Sequence, residues 1–215
     1  MQLAKAITEL KKQFTGDKQA MDALFLLQNK LNTLFASEEG HGPLSDEEFP
    51  LPKELLNKPG SFGLFSDGAC RGNPGPGAWG VMGQDSEGSV IFEKWGVDIS
   101  TTNNKMELEG AIKALEVMGE YINQHSLSHE VPLFLYSDSR YVVDGMSSWV
   151  AGWKRRGWKK ADRKEPENLA QWQELDAISK GYPNLQYVWV KGHSGHPQNE
   201  RCDEMANFAL DQLET

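Results

Sequence analysis

The sequence predicts an α/β fold: a five-stranded mixed sheet, three antiparallel strands then two parallel, flanked by helices and preceded by an N-terminal helical extension. Two observations carry this. Residues 62–98 hold three short apolar segments separated by turn residues, the pattern of strands joined by hairpins. From residue 103 onward helical and strand-like segments alternate, which requires crossovers and helices packed on the sheet.

Each element follows in order. In residues 1–36, Leu3, Ile7 and Leu10 share one helical face, residues 20–34 give a second helix, and Gly16 with Asp17 marks the break. Residues 37–60, rich in Gly, Pro and acids, read as a linker with room for one helical turn. Strands are expected at 62–66, 78–84 and 90–98, the last two joined by a turn at 85–88. Met106, Ile112, Leu115 and Met118 recur at helical spacing and predict a helix over 103–121, with Asn103 as its N-cap. The all-apolar run 131–136 suits a strand buried on both faces. Helices are expected at 139–147, 169–180 and 200–213, and a last strand at 185–191. The domain reading is a hairpin extension over 1–36, a linker over 37–60 and the main domain over 61–215.

At 215 residues the chain can bury one core and carry an appendage. Its 25% charged and 39% hydrophobic residues are those of a soluble protein, not a disordered one. No apolar run approaches the roughly 18 residues of a membrane span. The N-terminus lacks the apolar core of a secretion signal. Two cysteines, Cys70 and Cys202, are too few for a disulfide framework, so a reducing, cytoplasmic compartment is expected.

The net charge of −9 argues at first against a polyanionic partner, but its distribution argues the other way. From residue 61 there are 15 basic residues, and seven of them fall between Trp153 and Lys164: Lys154, Arg155, Arg156, Lys159, Lys160, Arg163 and Lys164. Such a run is usually a solvated face. Here Trp149, Trp153 and Trp158 interleave with it, and aromatic faces beside cations suit nucleic-acid backbone and sugars.

Four acids stand where a core or turn residue would be expected: Asp67 after the first strand, Glu107 one turn into the long helix, Asp138 after the apolar strand, and Asp203 near the start of the last helix. Any one alone reads as a cap or a turn residue. Four together would repel one another unless cations lay between them. Oxygen donors select hard cations such as Mg²⁺, and two such ions can clamp the attacking water and leaving oxygen of a phosphodiester. No HExxH or CxxC pattern offers a zinc site.

The motifs DGACRGNPGPGAWG at 67–80, TTNNKMEL at 101–108, SDSRYV at 137–142 and VKGHSGHPQNERCDE at 190–204, with the basic WKRRGWK at 153–159, resemble bacterial type 1 ribonuclease H. The resemblance covers residues 61–213. It implies the ribonuclease H-like fold and an endonuclease acting on the RNA strand of RNA–DNA hybrids without base specificity, leaving 5′-phosphate and 3′-hydroxyl ends. It implies Asp67, Glu107, Asp138 and Asp203 as metal-binding catalytic acids for two Mg²⁺ ions, with Mn²⁺ the other candidate. His193 matches a histidine that assists proton handling or product departure. Cys70, Asn73 and Asn104 match positions that sense the RNA backbone, where only the 2′-hydroxyl distinguishes RNA from DNA. Thr102 and Asn168 match a pocket for a DNA-strand phosphate. Trp149 and Trp172 match groove positions, Trp172 being equally readable as core, and Lys154, Arg155, Arg156 and Lys159 match the family's basic protrusion.

The chain departs from the family pattern at Arg140, Ser100, Glu165 and Glu167, which bear on hybrid affinity rather than chemistry. Residues 1–60 lie outside the resemblance and carry 7 Lys against 9 acids, so tethering to nucleic acid is not expected of them. A hairpin that docks on the main domain or mediates self-association is expected instead, with a disordered leader as the alternative. The rival functions are a DNA-acting nuclease of the same superfamily and a catalytically silent hybrid-binding module.

Overall fold

The computed structural model describes residues 49–192 and 195–213, together with Leu10, Gln13, Phe14, Asp17, Gln19, Ala20, Ala23, Leu24 and Leu27. Its elements run α1 (Lys53–Leu56), β1 (Phe62–Cys70), β2 (Gly75–Asp85), β3 (Val90–Thr101), α2 (Asn103–Gln124), β4 (Leu133–Ser137) and α3 (Arg140–Asp144). A π-helical turn (Gly145–Trp149) follows, then α4 (Val150–Arg155), α5 (Leu169–Ser179), β5 (Leu185–Trp189) and α6 (Pro197–Gln212). The strand order is β3-β2-β1-β4-β5. β1–β2 and β2–β3 pair antiparallel, β1–β4 and β4–β5 parallel, which is the expected mixed sheet.

Alternation along the strands sends side chains to two separate cores. One face packs Leu64, Val81 and Leu135 against Ile112, Leu115 and Met118 of α2 and Trp172 of α5. The other packs Phe65, Met82, Phe134 and Tyr136 against Cys202 and Met205 of α6, with Phe49 and Leu55 beside them. Each large apolar side chain so buried contributes about 1.5–3 kcal/mol. Trp172 is fully buried and belongs to the core. Gly145 is the reason it fits: a Cβ at that position would overlap the indole ring.

Three local expectations change. Asn103 is not the N-cap of α2; Thr102 occupies that position without a side-chain capping bond, and the Asn103 side chain is committed to Glu107 instead. The helix expected at 200 starts three residues earlier, because Pro197 suits the first helical position, where no N–H is needed. The helix expected over 139–147 continues through the π-helical turn into α4 and ends at Arg155.

In the N-terminal region Leu10, Gln13, Gln19, Ala20, Ala23, Leu24 and Leu27 are helical, and the Asp17 carboxylate accepts from the Ala20 N–H at 3.1 Å, as a cap does. Residues 49–58, placed in the linker by composition, pack on the sheet with Phe49 and Leu55 buried. No helix among the described residues is long and apolar enough to cross a membrane.

Candidate active site

β1 pairs with β4 only from Phe62 to Phe65, while its pairing with β2 runs on to Cys70. The two central parallel strands therefore part just before Asp67 and Asp138. Asp67 is not at the end of its strand, as the sequence suggested, but inside β1 beyond that fork. Asp138 follows the last residue of β4. In an open α/β sheet the crevice beyond the carboxyl ends of parallel strands is the usual place for a site.

The remaining acids come from opposite faces. Glu107 stands on α2, whose backbone lies directly on β1: a Cβ at Gly68 would overlap the main chain of Met106 and Glu107. The Glu107 carboxylate is gripped at both oxygens, by Asn103 Nδ2 at 2.7 Å and by the Ser139 hydroxyl. Asp203 stands on α6, which is equally close to β2, since a Cβ at Gly80 would overlap the carbonyl of Cys202. The Asp203 carboxylate accepts from Asn207 Nδ2 at 2.8 Å. Asp67 Oδ1 accepts from the Gly68 N–H at 2.7 Å. A Cβ at Gly192 would overlap a carboxylate oxygen of Asp138, so that loop position needs glycine.

The electrostatics link all four acids. Burial, together with the charges of Asp138, Asp203 and Glu107, pushes the Asp67 carboxyl up to about 8. Burial also raises Glu107, with Asp138 adding to it and the bonds from Ser139 and Asn103 opposing it. Low dielectric and like charge act here in the same direction. Among the described residues, no three His, Cys, Asp or Glu side chains are already drawn into a single ligand set. Asp138, Asp203 and Glu107 all lie near enough for their charges to act on Asp67, without the four being closed on one point. A hard divalent cation fits this donor set: every donor is an oxygen, and the charges that raise Asp67 are carboxylates that a cation would neutralise.

The residues expected to meet nucleic acid divide into groups. Cys70, at the end of β1, turns its sulfur toward the carbonyls of Gly72 at 2.7 Å and Thr101 at 3.7 Å. Asn73 Oδ1 accepts from the Asn103 N–H at 3.4 Å, tying the glycine-rich β1–β2 loop to the start of α2, where Thr102 and exposed Asn104 also sit. These four residues share one end of the sheet with Glu107. A second group lines an open groove of about 640 Å³ between β3, α2 and α5, which contains Asn168 with Thr101, Lys105 and Lys113. Thr102 is not among the residues lining that groove, and Asn168 directs its amide to the Tyr141 hydroxyl at 3.2 Å. Lys105, Glu109 and Lys113 went unnoticed in the sequence, although their spacing of four residues puts them on one face of α2.

The third group is the basic segment. Trp149 is exposed, with its ring against those of Tyr141, Trp153 and Trp172. Arg155, Arg156 and Lys159 are exposed, with Arg156 Nε donating to the Lys159 carbonyl at 3.1 Å. Lys154 differs: its ammonium lies 2.7 Å from Asp176, which also holds Lys180 at 2.8 Å. His193 lies outside the described residues. His196 marks the start of α6, and its ring lies 6.3 Å from that of Phe65 and 6.0 Å from that of Tyr136. Burial lowers its proton affinity, in keeping with a structural histidine.

Fold and site together define an α/β protein with a carboxylate centre where its two central parallel strands part. The family model described as RNase H matches residues 59–211. The chain belongs to the ribonuclease H family, and within it to the bacterial type 1 enzymes. It is 45% identical over 150 residues to "Ribonuclease H" of Dechloromonas aromatica, covering 70% of this chain and 93% of that one. Among solved structures, LC9-RNase H1, described as a type 1 RNase H with the type 2 active-site motif, is 34% identical with a TM-score of 0.61. That likeness covers 72% of this chain and 74% of that one. LC11-RNase H1, solved in complex with an RNA/DNA hybrid, is 28% identical with a TM-score of 0.57, covering 72% and 99%.

Proposed function

We propose that this chain hydrolyses the RNA strand of RNA–DNA hybrids, endonucleolytically and without base specificity, leaving 5′-phosphate and 3′-hydroxyl ends. The observation that carries the reading is the convergence of three acids on a fourth, with Asp67 raised to about 8 by burial and by the charges of Asp138, Asp203 and Glu107. The hybrid as substrate is supported by membership of the family and by the hybrid complex of LC11-RNase H1.

Asp67, Glu107, Asp138 and Asp203 would hold two divalent cations, Mg²⁺ first and Mn²⁺ second. Bound there, such ions supply the charge that activates a water at neutral pH and stabilises the leaving oxygen. The chain's own residues do the rest. Asn103 and Ser139 hold Glu107 in one orientation, and Asn207 does the same for Asp203. Partners that fix a ligating carboxylate in this way sharpen metal affinity. We assign His193 to proton handling or product departure. Cys70, Asn73 and Asn104 face the RNA strand, Thr102 and Asn168 a phosphate of the DNA strand, and Trp149, Arg155, Arg156 and Lys159 the duplex backbone.

Both cysteines are free thiols, in keeping with a reducing compartment such as the cytoplasm. Residues 1–36 we read as a helical hairpin that docks on the main domain or pairs two copies of the chain; light scattering on the full chain separates the two. The decisive test of function is a panel of 5′-labelled hybrid, duplex DNA and duplex RNA with Mg²⁺. Cleavage confined to the RNA of the hybrid is expected, and equal cutting of duplex DNA would overturn the assignment.

A further inference from the structure

The second face of the sheet is not covered by α6 alone. Residues 49–58, upstream of the matched family region, lie across the rest of it as a strap. Phe49 and Leu55 are buried in the same cluster as Phe65, Phe134, Tyr136 and Val190. Gly63 of β1 gives the strap its room: a Cβ there would stand 3.1 Å from Leu55 Cδ2. Lys58 places its ammonium 5.7 Å from the centroid of the Phe134 ring.

What fastens the strap is polar. Two glutamines, Gln84 on β2 and Gln198 in the first turn of α6, are 0% and 1% exposed. Gln198 Nε2 donates to the Pro50 carbonyl at 2.6 Å and to Gln84 Oε1 at 3.0 Å. Gln84 Nε2 donates in turn to the Phe49 carbonyl at 2.9 Å and to the Gly88 carbonyl at 3.1 Å. All four amide hydrogens of the pair are therefore used, three of them on the strap or on one another. Turning either amide over would set oxygen against carbonyl oxygen, so only one arrangement satisfies the chain. Pro50 and Pro52 suit the far side, since neither brings an N–H that would need a partner on this buried surface.

The clamp acts at a sensitive place. Gln198 sits in the turn of α6 that leads directly into Asp203, and His196 at the helix start lies beside the stacked rings of Phe65 and Tyr136. The Tyr136 hydroxyl donates to Glu54 of the strap at 3.1 Å. The strap thus holds the beginning of α6 through Gln198 and is itself anchored to the sheet through Gln84 and Tyr136, while the Gly80 contact sets the depth of α6 on the sheet.

We propose that the strap is part of the catalytic unit and that Gln198 is a positioning residue: clamped between Pro50 and Gln84, it fixes the pose of α6 from which Asp203 meets Asp67. The proposal rests on the assignment of these two acids to the metal centre. Gln198 itself touches neither metal nor substrate; it acts through the helix. The family region therefore takes the placement of its fourth acid in part from residues upstream of it.

The test uses the full chain and the variant Gln198→Leu, which keeps bulk and removes the donor. Calorimetric titration with Mn²⁺ alone, without substrate, is the first readout, and steady-state cleavage of a hybrid with Mg²⁺ is the second. A folded Gln198→Leu should bind Mn²⁺ roughly tenfold more weakly, with a comparable fall in kcat and KM for the hybrid within about twofold; this is the low end of what losing a direct partner of a metal ligand costs, because Gln198 acts one step further away, through the helix. If Gln198→Leu does not fold, Gln198→Asn decides, because its shorter side chain cannot reach both acceptors and predicts the same direction. Unchanged Mn²⁺ affinity and kcat in a folded variant would overturn the proposal. Should the wild-type chain bind metal yet leave hybrids uncut, the functional reading fails while the metal titration still judges the clamp.

Discussion

The indole N–H of Trp189, the last residue of β5, donates to the backbone oxygen of Asp138 at 3.0 Å, and the same ring carries the guanidinium of Arg140 3.7 Å from its centroid. A cation is thereby stacked on a platform bolted to the main chain of a proposed metal ligand. Arg140 also lies 3.5 Å from Asp144, one helical turn on, but both side chains remain largely exposed. An exposed, stacked guanidinium at this position would be free to meet a phosphate of the proposed hybrid. Arg140→Gln should lower the dependence of log KM on log salt by about one unit, as the loss of one phosphate contact does. The kcat at saturating hybrid should stay within twofold. An unaltered salt slope would remove Arg140 from the hybrid surface.

Asp67→Asn removes the most perturbed carboxyl. Mg²⁺-dependent cleavage should fall by at least ~10³-fold, since loss of a metal ligand removes both activation of water and stabilisation of the leaving oxygen. Folding should survive. Far-UV circular dichroism beside a hybrid cleavage assay reads both outcomes.

The same carboxyl makes the metal-free protein sensitive to pH. Its proton affinity is raised from 3.8 in the unfolded chain to about 8 in the fold. Between those values the folded state holds a proton that the unfolded state has released, so rising pH weakens the fold across that window. Asp67→Asn should abolish this part of the decline and stabilise the metal-free protein above pH 8, by an amount on the order of 2 kcal/mol. Denaturant midpoints at pH 5 and pH 9, with a chelator present, test it. A second consequence has the opposite sign: near pH 7 an incoming divalent cation must displace that proton. Binding should therefore release close to one proton, with heats that depend on the buffer, and tighten as pH rises toward 8.

Lys154 and Arg155 are neighbours with different duties. The Lys154 ammonium is committed to Asp176, which is raised by its burial but held below the usual carboxylate range by Lys154 and Lys180. Lys154→Ala should cost roughly 0.5–1 kcal/mol of stability, as a partly exposed ion pair does, and leave KM nearly unchanged. Arg155→Ala should leave stability alone and raise KM, with a shallower salt slope. A larger KM effect from Lys154 than from Arg155 would reverse these roles.

Trp172 is fully buried, packs against Tyr141 and Trp153, and donates its indole N–H to the Tyr141 hydroxyl at 3.1 Å. Trp172→Ala should destabilise the fold by about 3–5 kcal/mol. Thermal melts should show the loss whether or not hybrid is present.

That four distant acids would come near one another was legible in the sequence because each stands in a short motif near a strand end or a first helical turn, and such positions converge by topology, although Asp67 lies inside β1 and not at its end. The sheet itself was legible from hairpin spacing followed by helix–strand alternation. What holds the acids was not. Asn103 looked like a cap because asparagine serves helix starts so well, yet its amide answers to Glu107, a tertiary partner that competes with the local role. Ser139 and Asn207 are ordinary polar residues until the fold sets a carboxylate beside them. The strap was hidden by composition. Acids, glycines and prolines around it gave residues 37–60 the look of a linker, and two buried side chains, Phe49 and Leu55, were too sparse to show a period.

The meeting of Gly68 with the first turn of α2 has a bearing on how this chain can change over time. Where two stretches of main chain rest on each other, the gap between the groups they carry is set by covalent geometry and not by whichever methyl groups fill the interior. Substitutions among Ile112, Leu115 or Met118 can then shift melting temperature while Asp67 and Glu107 keep their spacing, so stability and turnover should be tunable by separate sets of mutations.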